Sequence, residues 1–198
     1  MNQHTDKLQR TRPEIAAILE QAPIIAAVKD DEGLAVALNT DCRMVFLLYG
    51  TICNLPELVA RIKNADKLAI VHLDLIAGLA SKEISVDFIK RNTAADGIIS
   101  TKPALVKAAK EQGFITVQRF FLIDSIAMEN CRRYMETGMA DMIEIMPATM
   151  PKIIKRIAAY CPVPLIAGGL ISDKEDIVLA LQAGAMGISS TNRAVWGM

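Results

Sequence analysis

Aromatic side chains are scarce: the chain has five Phe, three Tyr and one Trp, 5% of its residues. A surface that grips single-stranded nucleic acid by stacking needs aromatic platforms, and here there are few. Histidine is scarcer still, with two residues. The four cysteines (Cys42, Cys53, Cys131 and Cys161) have no CxxC spacing and no histidine at metal-ligand spacing. No metal site is therefore expected, and the thiols read as small core residues in a reducing cytoplasm. Charge of one sign is also lacking. Lys plus Arg and Asp plus Glu number 22 each, so the formal net charge is zero. No global field draws the chain to nucleic acid or a membrane surface, and a polyanion must find a local patch. No run approaches the roughly 20 apolar residues of a membrane span. No apolar run follows the opening charges. A cytoplasmic location without membrane contact is expected.

What the chain has is apolar bulk: 52% of 198 residues. That suits one domain over 1–198, with an N-terminal segment and capping helix over 1–22. Eight short apolar runs recur: Ile24–Val28, Met44–Leu48, Leu68–Leu73, Gly97–Ile99, Ile115–Phe120, Met142–Ile145, Pro164–Ala167 and Ala185–Ile188. Runs apolar on both faces belong to a parallel sheet covered by helices. The segments between them have helical period. Pro56 and Pro103 sit at helix starts, and Gly113 and Gly184 at helix stops. Met150 to Tyr160 and Asp173 to Ala183 carry the same 3.6-residue period, and Pro13 to Gln21 is a short helix that would plug the barrel bottom. Eight βα units predict an α/β fold, a small TIM-type (β/α)8 barrel with short loops. An open doubly wound sheet is the alternative, but no GxGxxG follows the first run.

Two strand ends stand out. Val163 to Gly169 stops in Gly168-Gly169, and Ala185 to Asn192 stops in Ser189-Ser190-Thr191. In a barrel, the loops after the last two strands hold phosphate through backbone N–H groups, hydroxyls and a helix N-terminus. Gly168, Gly169, Ser190 and Thr191 are the expected donors. Other strand ends supply Lys29, Asp74, Lys102, one of Gln118 or Arg119, and Glu144. Period-two alternation sends His72 and Asp74 into the barrel. Carboxylates accept hydrogen bonds from a polyol, and lysine neutralises phosphate. The same set also suits an enzyme of epimerase, aldolase or synthase type on a phosphorylated polyol or sugar, with Asp74, Glu144 and Lys102 as acid, base and electrostatic groups. Structural pairing of Asp74 or Glu144 with Lys102 or Arg119 is the plainer reading, and His72 reads as a hydrogen-bonded core residue. Lys152, Lys155 and Arg156 share one helix face, with Arg132 and Arg133 on the preceding helix. Such a run is usually a solvated face, and is also the best local patch for RNA phosphates.

These strand ends carry a resemblance. His72-Leu73-Asp74-Leu75-Ile76-Ala77-Gly78-Leu79, Gly97 to Lys102, Glu144-Ile145-Met146-Pro147, Ile166 to Ile171, the closing Ser189-Ser190-Thr191 and Trp196 resemble the glycerol-3-phosphate-responsive antiterminators of bacterial glycerol uptake operons. The resemblance runs from the first strand to the end of the chain. It implies a barrel that is not an enzyme and has no catalytic residues or cofactor. It implies glycerol 3-phosphate as effector ligand and the leader mRNA of a glycerol operon as partner, with transcription read through a terminator. Ala148 stands where a glycine is expected and Ser190 where threonine is usual; neither removes a charge. A homodimer is expected, since it doubles the RNA-contact area of a small domain.

Overall fold

The computed structural model describes residues 12–198, with side chains from Glu14 onward. The start of the expected N-terminal segment, 1–11, lies outside the described residues. Helix α1 (Arg12–Gln21) precedes a strict alternation: β1 (Ile24–Val28), α2 (Asp31–Leu38), β2 (Met44–Leu47), α3 (Leu55–Asn64), β3 (Leu68–His72), α4 (Ile84–Asn92), β4 (Gly97–Ser100), α5 (Pro103–Glu111), β5 (Ile115–Phe121), α6 (Ser125–Glu136), β6 (Met142–Met146), α7 (Pro151–Ala158), β7 (Leu165–Gly168), α8 (Lys174–Gln182) and β8 (Gly187–Ser190). Two 3₁₀ turns follow strands, Leu73–Leu75 after β3 and Arg193–Val195 after β8. Each strand pairs in parallel with the next, and β8 pairs with β1. The sheet is a closed eight-stranded barrel of TIM type, as the sequence predicts.

Local chemistry sets the helix starts. Asp30, Asp124 and Asp173 cap α2, α6 and α8 by accepting the N–H of the residue three further on, at 2.6, 2.7 and 3.0 Å. Pro56, Pro103 and Pro151 open α3, α5 and α7, where a missing N–H costs nothing. Most strand bounds fall within a residue of the sequence reading, and two differences bear on the site. The eighth strand starts at Gly187, because the N–H of Ala185 still bonds back to Ala180 of α8. The third strand ends at His72, so Asp74 rides on a 3₁₀ turn.

The apolar residues divide into two cores. Val45, Leu47, Val71, Ile98, Ile145 and Ile188 face the helices. Ile25, Phe46, Ile70, Val117, Met142 and Ile166 fill the barrel. Helix α1 pushes Ile15 and Leu19, both fully buried, into the bottom of that inner core. Gly187 leaves room there; a Cβ on it would sit 3.2 Å from Leu19 Cδ2. The bottom rim is also tied by charge. Asp96 accepts from Lys63 Nζ and from the N–H of Ala69, while Asp141 accepts from Thr116 and Lys110. Leu19→Ala opens a cavity in the plug and is expected to cost about 2–5 kcal/mol of unfolding free energy. Urea denaturation followed by circular dichroism measures this; a cost below that range would mean that the plug repacks.

Candidate functional site

Alternation along the strands decides what the top of the barrel contains. Ile70, Val117, Met142, Ile166 and Gly187 face inward, so the residues two further on face inward as well: His72, Arg119, Glu144, Gly168 and Ser189. Glu144 is fully buried and accepts from both sides, from Arg119 Nε on one oxygen and Ser189 Oγ on the other. Gly168 supplies the space. A Cβ there would collide with Ser189 Oγ and lie 2.7 Å from Glu144 Oε1. His72 is 2% exposed, and its Nδ1 has no hydrogen-bond partner. Burial, aided by the nearby Arg119 charge, pushes its pKa down to about 4 against the opposing pull of Asp74. The imidazole is therefore neutral at pH 7.

Above this layer lies the rim. Asp74 accepts from Ser100 Oγ (2.9 and 3.0 Å), the N–H of Thr101 (2.8 Å) and Thr101 Oγ1 (3.1 Å). Lys102 Nζ is 4.0 Å from Asp74 and donates to Ser81 Oγ. Lys29 is exposed at the end of β1. Its neighbour Asp30 binds Arg193 at 2.8 Å, and Arg193 also reaches Glu32 at 2.8 Å. These pairs fasten the turn after β8 to the first turn of α2.

The loop after β7 has two successive residues at positive φ, Gly169 at 76° and Leu170 at 60°. A leucine in the left-handed region is strained, and such strain gathers at ligand-contacting loops. The Gly169 carbonyl accepts the N–H of Ala148 at 3.1 Å. Across the mouth, Thr191 is exposed, and Asn192 caps the following 3₁₀ turn by accepting the N–H of Ala194 at 3.1 Å. Ser190 lies on the outer face of β8. Its Oγ accepts the N–H of Asn192 at 3.0 Å, so the inward hydroxyl is that of Ser189. The first turn of α8 is filled by its own carboxylates: Asp173 caps it, and Asp176 accepts from Ser172 N–H at 2.8 Å. An anion cradle here rests on loop backbone and Thr191, with α8 contributing little.

The expected residues thus fall into three groups. Asp74 and Lys102 come together at the mouth, and Glu144 lies buried in the layer beneath them, bound to Arg119 and Ser189. Gly168, Gly169 and Thr191 border it, while Lys29 stands exposed on its β1 side. Of the basic residues, Lys152, Lys155 and Arg156 are exposed on α7, a helix without a single carboxylate. Arg132 is instead paired with Glu129 at 3.1 Å and Glu136 at 3.5 Å, and Arg133 with Glu129 at 3.8 Å. The two residues that the sequence reading places least well are Arg119, left open against Gln118, and Ser189, passed over for Ser190. The inward parity of Glu144 on the neighbouring strand is the signal that picks out Arg119.

Chemically, the mouth offers acceptors already engaged and lysines still solvated. A Schiff-base lysine is activated by desolvation; Lys29 and Lys102 are both exposed. Lys67, whose pKa is lowered by burial, lies at the bottom, bonded to the Thr40 and Cys42 carbonyls. Burial also raises the pKa of Cys42, Cys131 and Cys161, that of Cys131 to about 12, which disfavours a thiolate nucleophile. Among the described residues no group of three His, Cys, Asp or Glu is arranged to hold a metal, and no helix is long and apolar enough to cross a membrane. The buried ion pair sets a clear expectation. Glu144→Gln leaves Arg119 uncompensated and should cost about 3–5 kcal/mol, whereas Arg119→Met with Glu144→Leu should recover most of that loss. Chemical denaturation of the single and double variants checks this, and additive losses would contradict it.

The family model described as glycerol-3-phosphate responsive antiterminator matches residues 24–196. A protein of Escherichia coli K12, YgcP, is 44% identical over 179 residues, covering 90% of this chain and 94% of that one. The glycerol uptake operon antiterminator regulatory protein of Listeria monocytogenes superposes with a TM-score of 0.84 at 28% identity, covering 89% of this chain and 95% of that one. A glycerol uptake operon antiterminator-related protein of Thermotoga maritima gives 0.79 at 32% identity, covering 89% and 99%. Deoxyribose phosphate aldolase of Aeropyrum pernix shares the fold alone, with a TM-score of 0.69 at 15% identity, covering 94% and 97%. Matched from the first strand of the barrel to Trp196, the chain belongs to the glycerol-3-phosphate responsive antiterminator family.

Proposed function

We propose that this chain is a cytoplasmic, glycerol-3-phosphate-sensing antiterminator that binds the leader mRNA of a glycerol uptake operon. The observation that carries the reading is the mouth of the barrel in a chain of this family. A strained, glycine-containing loop faces Thr191 on one side, and Asp74 and Lys102 line the other, above the buried Glu144. Phosphate is held by the backbone of Gly168 and Gly169 and the loop from Ser190 to Thr191, with Lys29 and Lys102 balancing its charge. The polyol end meets Asp74 and Glu144. Solvated lysines and engaged carboxylates favour holding such a ligand over transforming it, which sets the reading above an aldolase-type enzyme.

RNA is held by α7 through Lys152, Lys155 and Arg156. On α6, Arg132 and Arg133 are secondary, because their charge is met by Glu129 and Glu136. A route joins the two surfaces. The Gly169 carbonyl bonds Ala148, in the loop that leads into α7, and Met146 Cε packs where a Cβ on Gly169 would stand. An anion that orders the loop after β7 thereby positions the start of α7. The effector gates RNA only if it binds the RNA-competent arrangement better than the other. A second copy of the chain would double this basic surface.

Glycerol 3-phosphate should raise the Tm, with a gain of about 2.7 kcal/mol at 100 times Kd, while glycerol does little. Thr191→Glu puts a carboxylate in the cradle and should remove the shift with the circular dichroism spectrum unchanged. Thermal denaturation with each ligand measures both, and an absent shift at millimolar glycerol 3-phosphate would sink the site. For RNA, Lys155→Glu combined with Arg156→Glu should weaken leader binding roughly tenfold or more at fixed salt without altering the ligand-induced Tm shift. Filter binding at several salt concentrations decides this; an undiminished affinity moves the RNA surface elsewhere.

A further inference from the structure

Three buried side-chain atoms lack a hydrogen-bond partner among the described residues: His72 Nδ1, Gln118 Oε1 and Tyr134 Oη. Gln118 and Tyr134 lie between strands and helices. His72 alone faces the barrel interior, at the level of the Arg119–Glu144 pair and below Asp74. A buried polar atom with no partner is destabilising, and such atoms in native proteins call for an explanation. His72 Nδ1 stands 4.0 Å from Asp74 Oδ2, too far for a direct hydrogen bond. One oxygen placed between the two side chains lies within hydrogen-bond reach of both the imidazole nitrogen and the carboxylate.

Asp74 is short of a partner as well. A carboxylate offers about four lone-pair sites. Three donors reach it, the Ser100 hydroxyl, the Thr101 N–H and the Thr101 hydroxyl. All three reach Oδ2, while Oδ1 meets the Ser100 hydroxyl alone, so the open site is on Oδ1, where Lys102 Nζ stops 4.0 Å away. With the proton of the neutral ring on Nδ1, the missing group accepts from the imidazole N–H and donates to the carboxylate. A hydroxyl does both; a phosphate oxygen or a carboxylate does only the first. The charged groups around the imidazole fit this. Arg119 is held by Glu144, Lys102 is drawn to Ser81, and burial keeps His72 neutral down to about pH 4. A neutral ring suits a neutral alcohol.

We infer that His72 and Asp74 form a hydroxyl-reading subsite, in which one alcohol group of a phosphorylated polyol accepts from His72 Nδ1 and donates to the open site of the Asp74 carboxylate on Oδ1. The inference rests on the reading of the mouth as a polyol-phosphate site and adds the group that tells such a ligand from a bare phosphate. His72 then determines specificity, through a position that otherwise passes for an ordinary core histidine.

Calorimetric titration of the full chain at pH 7 tests it, with glycerol 3-phosphate and its two singly deoxygenated analogues, propane-1,2-diol 1-phosphate and propane-1,3-diol monophosphate. The parent protein should bind one analogue about tenfold or more weakly than glycerol 3-phosphate. In His72→Leu that analogue and glycerol 3-phosphate should bind within about threefold of each other, because the partner that read the hydroxyl is gone. His72→Asn, whose amide reaches near the Nδ1 position, should keep the discrimination. Removal of an unpartnered nitrogen from an apolar strand should leave the ligand-free Tm of the leucine variant equal or higher, which separates lost recognition from lost fold. The idea is overturned if His72→Leu discriminates as the parent does, or if the parent ranks both analogues with glycerol 3-phosphate; water alone then fills the gap. A parent that binds no glycerol 3-phosphate removes the polyol-phosphate reading itself, and the subsite with it.

Discussion

The top of this barrel is organised around one fully buried carboxylate. Glu144 has no exposure to water, so it must be met on both oxygens, and it is: Arg119 from β5 on one side and Ser189 from β8 on the other. An unpaired charge at that depth is untenable, and this constraint shapes three further features. β7 passes between the carboxylate and Ser189, which forces glycine at Gly168. Arg119 is held at the centre of the barrel, where its charge helps to keep the imidazole of His72 neutral. With the arginine engaged below, the charges left at the rim are those of Asp74, Lys102 and Lys29. Five strands are thus chosen around one ion pair, and the polarity of the mouth is set by what that pair leaves unmet.

Much of this is legible in the chain. Parallel strands buried on both faces announce themselves as apolar runs, and those at Ile24, Met44, Leu68, Gly97, Ile115 and Met142 begin where the strands begin. Aspartates and prolines mark helix starts because each answers a definite need of the first turn. Parity is the weak point. A run apolar on both faces does not say which face is which, so its own strand does not tell Arg119 from Gln118, nor Ser189 from Ser190; only the inward Glu144 on the next strand favours Arg119. The eighth strand slips by two residues because Ala185 and Met186 are as apolar as the strand itself, and only the backbone bond from Ala185 to Ala180 places them outside it. In the sequence, Gly168 reads as a place for an anion to approach backbone. The structure gives it a second reason, room for Glu144 and Ser189, and leaves the conformational demand to Gly169 at φ 76°.

The two ends of the barrel use charge differently. At the bottom, charges are spent on the chain itself: Asp96 on Lys63 and the backbone of Ala69, Asp141 on Thr116 and Lys110, Lys67 on two carbonyls. A groove of about 550 Å³ opens there, edged by Asp41, Arg43, Asp66 and the C-terminal residues. Its best-placed cation, Lys67, is already bonded, so volume there comes without spare chemistry. At the top, spare capacity remains at Asp74, His72 and the loop after β7. Function in such barrels sits at the C-terminal ends of the strands, and stability at the opposite face. Here the division is visible in which charged groups have finished making bonds.

That same accounting bears on why a barrel shared with aldolases would serve as a sensor. A general base needs a carboxylate with a lone pair aimed at a proton and nothing better to bind. Glu144 is committed to Arg119 and Ser189, and three protein donors hold Asp74 in place and leave it one open site. Carboxylates held this way are good at fixing hydroxyls and poor at removing protons. The loop after β7 fits the same purpose. Its Leu170 is held at positive φ, and the bond from the Gly169 carbonyl to Ala148 leads outward to α7. In an enzyme, binding energy at the phosphate would be directed inward, to the reacting bond. In this geometry the connections from the loop after β7 run outward, to a helix whose cations have no partner on their own helix.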